Sequence, residues 1–75
     1  KRYEEALESY DRALQLDPNY QWNWVNRGYV LNNLKRYEEA LESFDRGIKL
    51  EANDWPVWAL RGIVLNNLKR YDWLK

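Results

Sequence analysis

The chain has 75 residues, which allows at most one small domain with a modest hydrophobic core. Its 12 basic and 12 acidic side chains cancel, and a neutral chain lacks the basic excess that attracts nucleic acid or anionic lipid. Cys, His and Met are absent, which excludes disulfides, thiolate nucleophiles and the usual zinc sites.

The first half of the chain predicts two helices. Between residues 2 and 16, apolar side chains recur every three or four residues, which is the spacing of one helical face. Pro18 disfavours helical geometry at Asp17 and therefore ends this helix. Asn19 is the predicted N-cap of a second helix, over about residues 20–34.

The second half predicts two more helices. A third helix, over about residues 37–51, copies the first, and Asn53 or Asp54 caps a fourth over about residues 55–68. Residues 69–75 either turn back to begin a further helix or extend the fourth. No segment alternates with a two-residue period, so we predict an all-α fold without a sheet.

The sequence repeats with a fixed period of 34 residues. Residues 1–9 return unchanged as residues 35–43, and residues 69–71 start the same motif a third time. A second motif, in residues 24–34, returns in residues 58–68 with the same Trp, Arg, Gly, Val, Leu and Asn positions. Such a period predicts a stack of similar units, none of which buries its apolar face alone.

This period and its motif residues resemble the tetratricopeptide repeat, a 34-residue helix–turn–helix unit. The matching positions are Trp24, Gly28, Tyr37, Ala40 and Phe44. The resemblance implies an α-solenoid of antiparallel helix pairs, with about four helices and a short C-terminal stub. It divides the chain (1–75) into the second helix of a first repeat (1–20), a complete repeat (21–54), and the first helix of a third repeat plus the stub (55–75).

The chain departs from the family pattern at two arginines. Arg27 and Arg61 stand where the family usually has Leu, and each follows an aspartate, Asp11 or Asp45, by 16 residues. We expect each arginine to form an ion pair with the aspartate of the preceding helix. The alternative is that the aliphatic part of its side chain packs while the guanidinium stays in water.

Other departures concern the turns and the small positions. Lys35 and Lys69 stand where the family often has a turn Gly, and Gly47 replaces a small Ala at a cost of about 1 kcal/mol in helix propensity. The family's large aromatic positions pack between helices, so we expect Trp24 and Trp58 to fill the core.

The family also implies a binding surface, because the first helices of successive repeats line a concave groove. Here those helices are 20–34 and 55–68, whose only charges are Arg27 and Arg61. The implied groove consists of aromatic, aliphatic and amide side chains: Trp22, Val25, Asn26, Tyr29, Asn32, Asn33, Pro56, Ala59, Leu60, Ile63, Asn66 and Asn67. We expect it to bind a peptide or helix with an apolar face, and not to clamp a C-terminal carboxylate. The alternative is a solvated wall without a ligand, in which the Asn pairs only end helices.

In the predicted stack, the first and last helices each have a neighbour on one side only. Apolar side chains near these ends are candidates for self-association: Tyr3, Leu7, Tyr10 and Leu14 at one end, and Trp58, Val64, Leu65, Trp73 and Leu74 at the other. Complementary ends can stack head to tail or exchange elements in a swapped dimer. We therefore expect a homo-oligomer.

The sequence favours a binding protein over an enzyme. Ser9 and Ser43 have no His to activate them, and the glutamate pairs at 4–5 and 38–39 lie on predicted charged outer faces. We expect no cofactor, a protein or peptide partner, no nucleic acid and no membrane, since no apolar run approaches the length of about 18–20 residues that spans a bilayer. The lack of Cys fits a reducing compartment, among others, and we expect a cytoplasmic protein. Two functions stay open: a peptide-binding scaffold, or a self-assembling module, natural or designed, whose partner is itself.

Overall fold

A computed structural model describes the backbone of residues 2–53 and 55–74, and the side chains of residues 2–53 and 56–69. The described backbone contains four helices and no strand: α1 (Tyr3–Leu16), α2 (Gln21–Asn33), α3 (Tyr37–Leu50) and α4 (Trp55–Leu74). The predicted all-α fold is therefore confirmed, and the first three helices begin and end within a residue of their predicted bounds.

The helices pack in chain order into two layers. Helix α2 lies against both α1 and α3, α3 lies against both α2 and α4, and α2 also touches α4. Short connections make consecutive helices fold back on each other as antiparallel pairs. The molecule measures 39 × 29 × 16 Å, and its thinnest dimension accommodates only two helix layers, since packed helix axes lie about 8–10 Å apart.

The core is centred on the contact between α2 and α3. Leu31, Ala40 and Phe44 are at most 1% exposed. Gly28 makes this contact possible, because a Cβ atom at Gly28 would lie only 2.7 Å from the Phe44 ring. The missing side chain therefore lets the two helices approach and lets the aromatic ring fill the space between them.

The turn between α2 and α3 closes with a left-handed residue. Lys35 has φ 62° and is the one non-glycine residue with positive φ among those described. Its N–H donates to the Asn32 carbonyl at 3.0 Å, and the Arg36 N–H donates to the Leu31 carbonyl at 2.9 Å. This is the Schellman arrangement, which satisfies the last carbonyls of a helix and usually places Gly at the left-handed position.

At the equivalent position in α4, the backbone continues as a helix. Lys69 is helical, and α4 runs on to Leu74. Of the two alternatives for this tail, extension of the fourth helix is the one observed, over residues 69–74. A left-handed Lys costs about 1–2 kcal/mol, and the packing of α3 offsets that cost at Lys35. At Lys69 no such turn forms, and the backbone stays helical through Leu74.

The predicted cap of α2 is wrong. The helix begins after Tyr20, and no side chain caps it. The Asn19 N–H instead donates to Asp17 Oδ1 at 3.1 Å, so the Asp17 side chain organises the turn that precedes the helix. For α4, the candidate cap Asp54 lies outside the described residues.

Candidate protein-binding surface

One stripe of α2 faces away from the core. Its exposed side chains are Trp22, Asn26, Tyr29 and Asn33, which recur at three- and four-residue intervals on one side of the helix. Trp22 is 46% exposed and Tyr29 is 53% exposed. Large aromatic groups of this kind are therefore accessible to a ligand along the full length of α2.

The 34-residue shift carries this stripe onto α4. Pro56 and Ile63 match Trp22 and Tyr29, and both are exposed, Ile63 at 52%. Leu60 matches Asn26 but is half-buried and packs against the core. The remaining predicted groove positions on α4 are exposed or half-buried: Ala59, Asn66 and Asn67.

The asparagine side chains are partly engaged within the chain. Asn67 Nδ2 donates to Asn32 Oδ1 at 3.4 Å, which links α4 to α2. Asn33 Nδ2 donates to the Tyr29 carbonyl at 3.0 Å, within the last turn of α2. The Asn33 bond agrees with the alternative in which Asn residues end helices, but Asn66 and Asn67 lie inside α4, which runs on to Leu74. Asn26 and Asn66 are exposed amides.

Val25 does not belong to this surface. It is only 4% exposed and is part of the core, because it packs against the bare backbone of Gly47. A Cβ atom at Gly47 would lie 3.2 Å from Val25 Cγ2. The prediction of Val25 as a groove residue is therefore wrong.

The two arginines that depart from the family pattern are bonded as predicted. Arg27 Nε lies 2.6 Å from Asp11 Oδ1, and Arg61 Nε lies 2.6 Å from Asp45 Oδ1. Arg27 also donates from Nη1 to Ser43 Oγ at 2.5 Å. These bonds hold each guanidinium between helices, so the exposed stripe described above carries no charge.

Outside the stripe, charge pairs occupy the start of α3. Arg36 donates to both carboxylate oxygens of Glu39. This hydrogen-bonded pair lowers the pKa of Glu39 and raises the pKa of Arg36, with smaller contributions from their mutual attraction. Both side chains are well exposed, so the pair contributes little to stability.

Trp24 and Trp58 lie at the edge of the fold rather than in the core. Trp24 Nε1 donates to the Pro18 carbonyl at 2.7 Å, and Trp58 Nε1 donates to the Ala52 carbonyl at 2.9 Å. Trp24 is half-buried, and Trp58 is 49% exposed. The prediction that both indoles fill the core is wrong: each one covers the connection that precedes its own helix.

The predicted self-association residues divide into buried and accessible groups. Leu7, Leu14 and Val64 are at most 8% exposed, because they pack against neighbouring helices of the same chain. These three are corrected to core residues. The accessible members are Tyr3 and Tyr10, which are half-buried, and Trp58 and Leu65, which are exposed; the side chains of Trp73 and Leu74 lie outside the described residues.

The described residues form neither a membrane-spanning helix nor a metal-binding cluster. None of the helices is both long and apolar enough to cross a membrane. No group of three or more acidic, His or Cys side chains in the described part of the chain is placed to hold a metal ion.

Paired helices that recur every 34 residues and stack in two layers define a helical-repeat protein of the α-solenoid class. A family model for the tetratricopeptide repeat matches residues 1–63, and the chain belongs to that family. Comparison with curated proteins gives no match.

Proposed function

We propose that this chain is a non-catalytic scaffold that binds a peptide or a partner helix on the exposed stripe of α2 and α4. The observation that supports the proposal is the row of large apolar side chains that this surface leaves accessible, namely Trp22, Tyr29 and Ile63. The tetratricopeptide repeat family is in general a protein-interaction scaffold, and aromatic side chains are enriched at such interfaces. These side chains form what we call the groove: Trp22, Asn26, Tyr29, Asn33, Pro56 and Ile63.

The chemistry of the groove favours a ligand with an apolar face. No charged side chain lies among its residues, so a ligand carboxylate would find no cation there. The amide of Asn26 can both donate to and accept from a ligand backbone. Binding should therefore depend on apolar contact and change little with salt concentration. The absence of nucleic-acid and membrane partners, and a cytoplasmic location, are parts of this proposal that rest on composition.

The proposal can be tested by selecting binders from a displayed library of random peptides. The selected peptides are then titrated against Tyr29→Asp and Ile63→Asp, which place a charge in the groove. The matched control is Leu16→Asp, at a side chain that is 83% exposed and lies outside the groove. Each groove variant should weaken binding roughly tenfold or more, and the control should not.

The proposal fails if selection yields no peptide, or if selected peptides bind Tyr29→Asp and the unmodified chain equally well. Trp fluorescence reports such binding poorly here, since five Trp residues contribute to the signal. Calorimetry is therefore the better measurement.

A second candidate function is self-assembly through the two ends of the stack. The observation that favours it is the exposure of one side of α4, where Trp58 is 49% and Leu65 is 41% exposed. Exposed apolar side chains clustered on one helix face often mark an interaction site. Light scattering tests this candidate: a monomeric mass at about 100 µM, from a chain with a fully helical circular dichroism spectrum, would contradict it.

A further inference from the structure

Equivalent positions of α1 and α3 differ in burial. Ser43 and Phe44 of α3 are at most 1% exposed, because α2 covers them. The equivalent residues of α1 are Ser9, which is exposed, and Tyr10, which is half-buried. Within the described residues, that side of α1 is only partly covered: Ala6 and Tyr10 pack against the core, and Ser9 and Arg12 are exposed. We call this side the α1 face, formed by Ala6, Ser9, Tyr10, Arg12 and Ala13.

Equivalent positions of α2 and α4 differ in the same way. Gly28 and Leu31 of α2 are buried beneath α3. Their counterparts on α4 are open: Leu65 is 41% exposed, and a Cβ atom added at Gly62 would meet no atom within 4 Å. We call this side the α4 face, formed by Trp58, Ala59, Arg61, Gly62 and Leu65.

We propose that the α4 face of one copy binds the α1 face of a second copy, in the arrangement by which α2 binds α3 within the chain. This inference rests on the second candidate function, self-assembly, and specifies the interface. The α2–α3 contact shows the geometry that the repeated residues adopt when both faces are present. Three of its contacts can be carried over residue by residue.

The first contact is aromatic. The Phe44 ring lies so close to Gly28 that no Cβ atom would fit between them. Tyr10 and Gly62 are the equivalent pair on the two open faces. The empty space over Gly62 therefore matches the ring of Tyr10 from a second copy, and the half-buried Tyr10 would lose its remaining contact with water.

The second contact is polar. Arg27 is held by Asp11 and donates from Nη1 to Ser43. Arg61 is already held by Asp45 through Nε in the same way, which orients its guanidinium before any partner arrives. Nη1 of Arg61 is then placed to donate to Ser9 of a second copy, as its counterpart donates to Ser43.

The third contact is a cation over an indole ring. The guanidinium carbon of Arg46 lies 5.0 Å from the centroid of the Trp24 ring. The equivalent pair is Arg12 with the exposed Trp58. The guanidinium carbon of Arg61 already lies 5.9 Å from the centroid of the Trp58 ring, so Arg12 would be a second cation at that ring. A positive side chain on the α1 face would therefore meet an electron-rich ring on the α4 face.

The α2–α3 contact within the chain and the proposed α4–α1 contact between copies differ at one pair of positions, and the two differences compensate each other in size. Within the chain, Val25 packs against Gly47, where even one extra carbon would be tightly placed. The equivalent residues on the open faces are Ala59 and Ala13. The loss of the valine methyl groups at Ala59 makes room for the methyl group of Ala13, so the α1 face matches the α4 face in size at this position.

The experiment blocks each face separately with a substitution that the isolated chain tolerates. Gly62→Leu fills the space for Tyr10 at an exposed helix position, and Ser9→Arg places a second cation opposite Arg61 at an exposed position. Lys49→Leu, at an exposed position of α3 outside the groove and both faces, is the matched control. By light scattering and sedimentation, each face variant should weaken self-association tenfold or more, and the control should associate as the unmodified chain does.

Mixing the two face variants then tests the head-to-tail mode. The Gly62→Leu chain keeps a functional α1 face, and the Ser9→Arg chain keeps a functional α4 face. Each should be monomeric alone, and together they should form a 1:1 dimer that grows no further. A symmetric or domain-swapped dimer predicts no such complementation.

The outcomes separate the two proposals. If the unmodified chain is monomeric, self-assembly itself fails, and this interface fails with it. If the unmodified chain associates but Gly62→Leu and Ser9→Arg associate equally well, self-assembly stands and the α4–α1 interface is overturned. If the mixture of the two variants remains monomeric, the interface is likewise overturned.

Discussion

Gly28 and Gly62 occupy equivalent repeat positions but should respond in opposite ways to the same substitution. Gly28→Ala places a methyl group against the buried Phe44 ring, 2.7 Å away. We expect a net loss of about 1–2 kcal/mol in the free energy of unfolding, because overpacking exceeds the gain in helix propensity. Gly62→Ala meets open space and should stabilise the monomer by about 0.5–1 kcal/mol.

Urea denaturation at low protein concentration measures both variants, since dilution prevents association from contributing. Equal effects at Gly28 and Gly62 would show that the α2–α3 contact is looser than described.

At the residue scale, the sequence predicts pairings better than it predicts burial. The Arg27–Asp11 pair was predictable because both residues recur at a fixed spacing and a charge between helices requires a partner. The family resemblance assigns Val25 to the groove, because carrying positions over does not distinguish two adjoining faces of the same helix. The family resemblance predicts that Trp58 is buried in the core, because it assigns the same packing to every equivalent Trp. It does not consider whether another helix covers that residue.

At the scale of a helix and its turn, Lys35 and Lys69 provide a second matched pair. Lys35 has a left-handed conformation that Gly adopts without strain. Lys35→Gly should therefore stabilise the chain by roughly 0.5–1 kcal/mol. This value is the relieved backbone strain minus the cost of the greater conformational entropy that Gly gives the unfolded chain. Lys69→Gly lies within a helix and should instead lower helicity, with a loss of about 1 kcal/mol or less.

Circular dichroism and urea midpoints distinguish these results. A destabilising Lys35→Gly would mean that the lysine side chain contributes contacts that outweigh its backbone strain.

The bounds of α1, α2 and α3 could be predicted because hydrophobic spacing, Pro18 and the 34-residue period agree on them. The C-terminal end of α4 could not. The sequence at residues 69–71 repeats the start of α1 and α3, yet the same residues extend a helix instead of starting one. At Lys35, the following helix α3 packs against α2 and offsets the strain of the left-handed turn.

At the scale of the molecule, the proposed use of the α4 face in self-assembly would link stability to association. In a stack of repeats, each interface adds a nearest-neighbour term to the stability of the whole. Replacing residues 69–75 with a copy of residues 35–51 should therefore place a helix against the α4 face. We expect the new helix to cover Trp58 and Leu65 and to raise the free energy of unfolding by at least about 1 kcal/mol.

The same extension should also abolish self-association. Once α4 is covered, the new terminal helix exposes a face equivalent to Leu41 and Ile48. That face is not complementary to the α1 face of a second copy. Scattering should then report a monomer at concentrations where the unmodified chain associates. Gly62→Leu in the extended chain serves as a control. The new helix brings a Phe ring over Gly62, so the added side chain should destabilise the extended chain, just as a side chain at Gly28 should destabilise the present one. An extended chain that still assembles would show that copies meet through some surface other than the α4 and α1 faces.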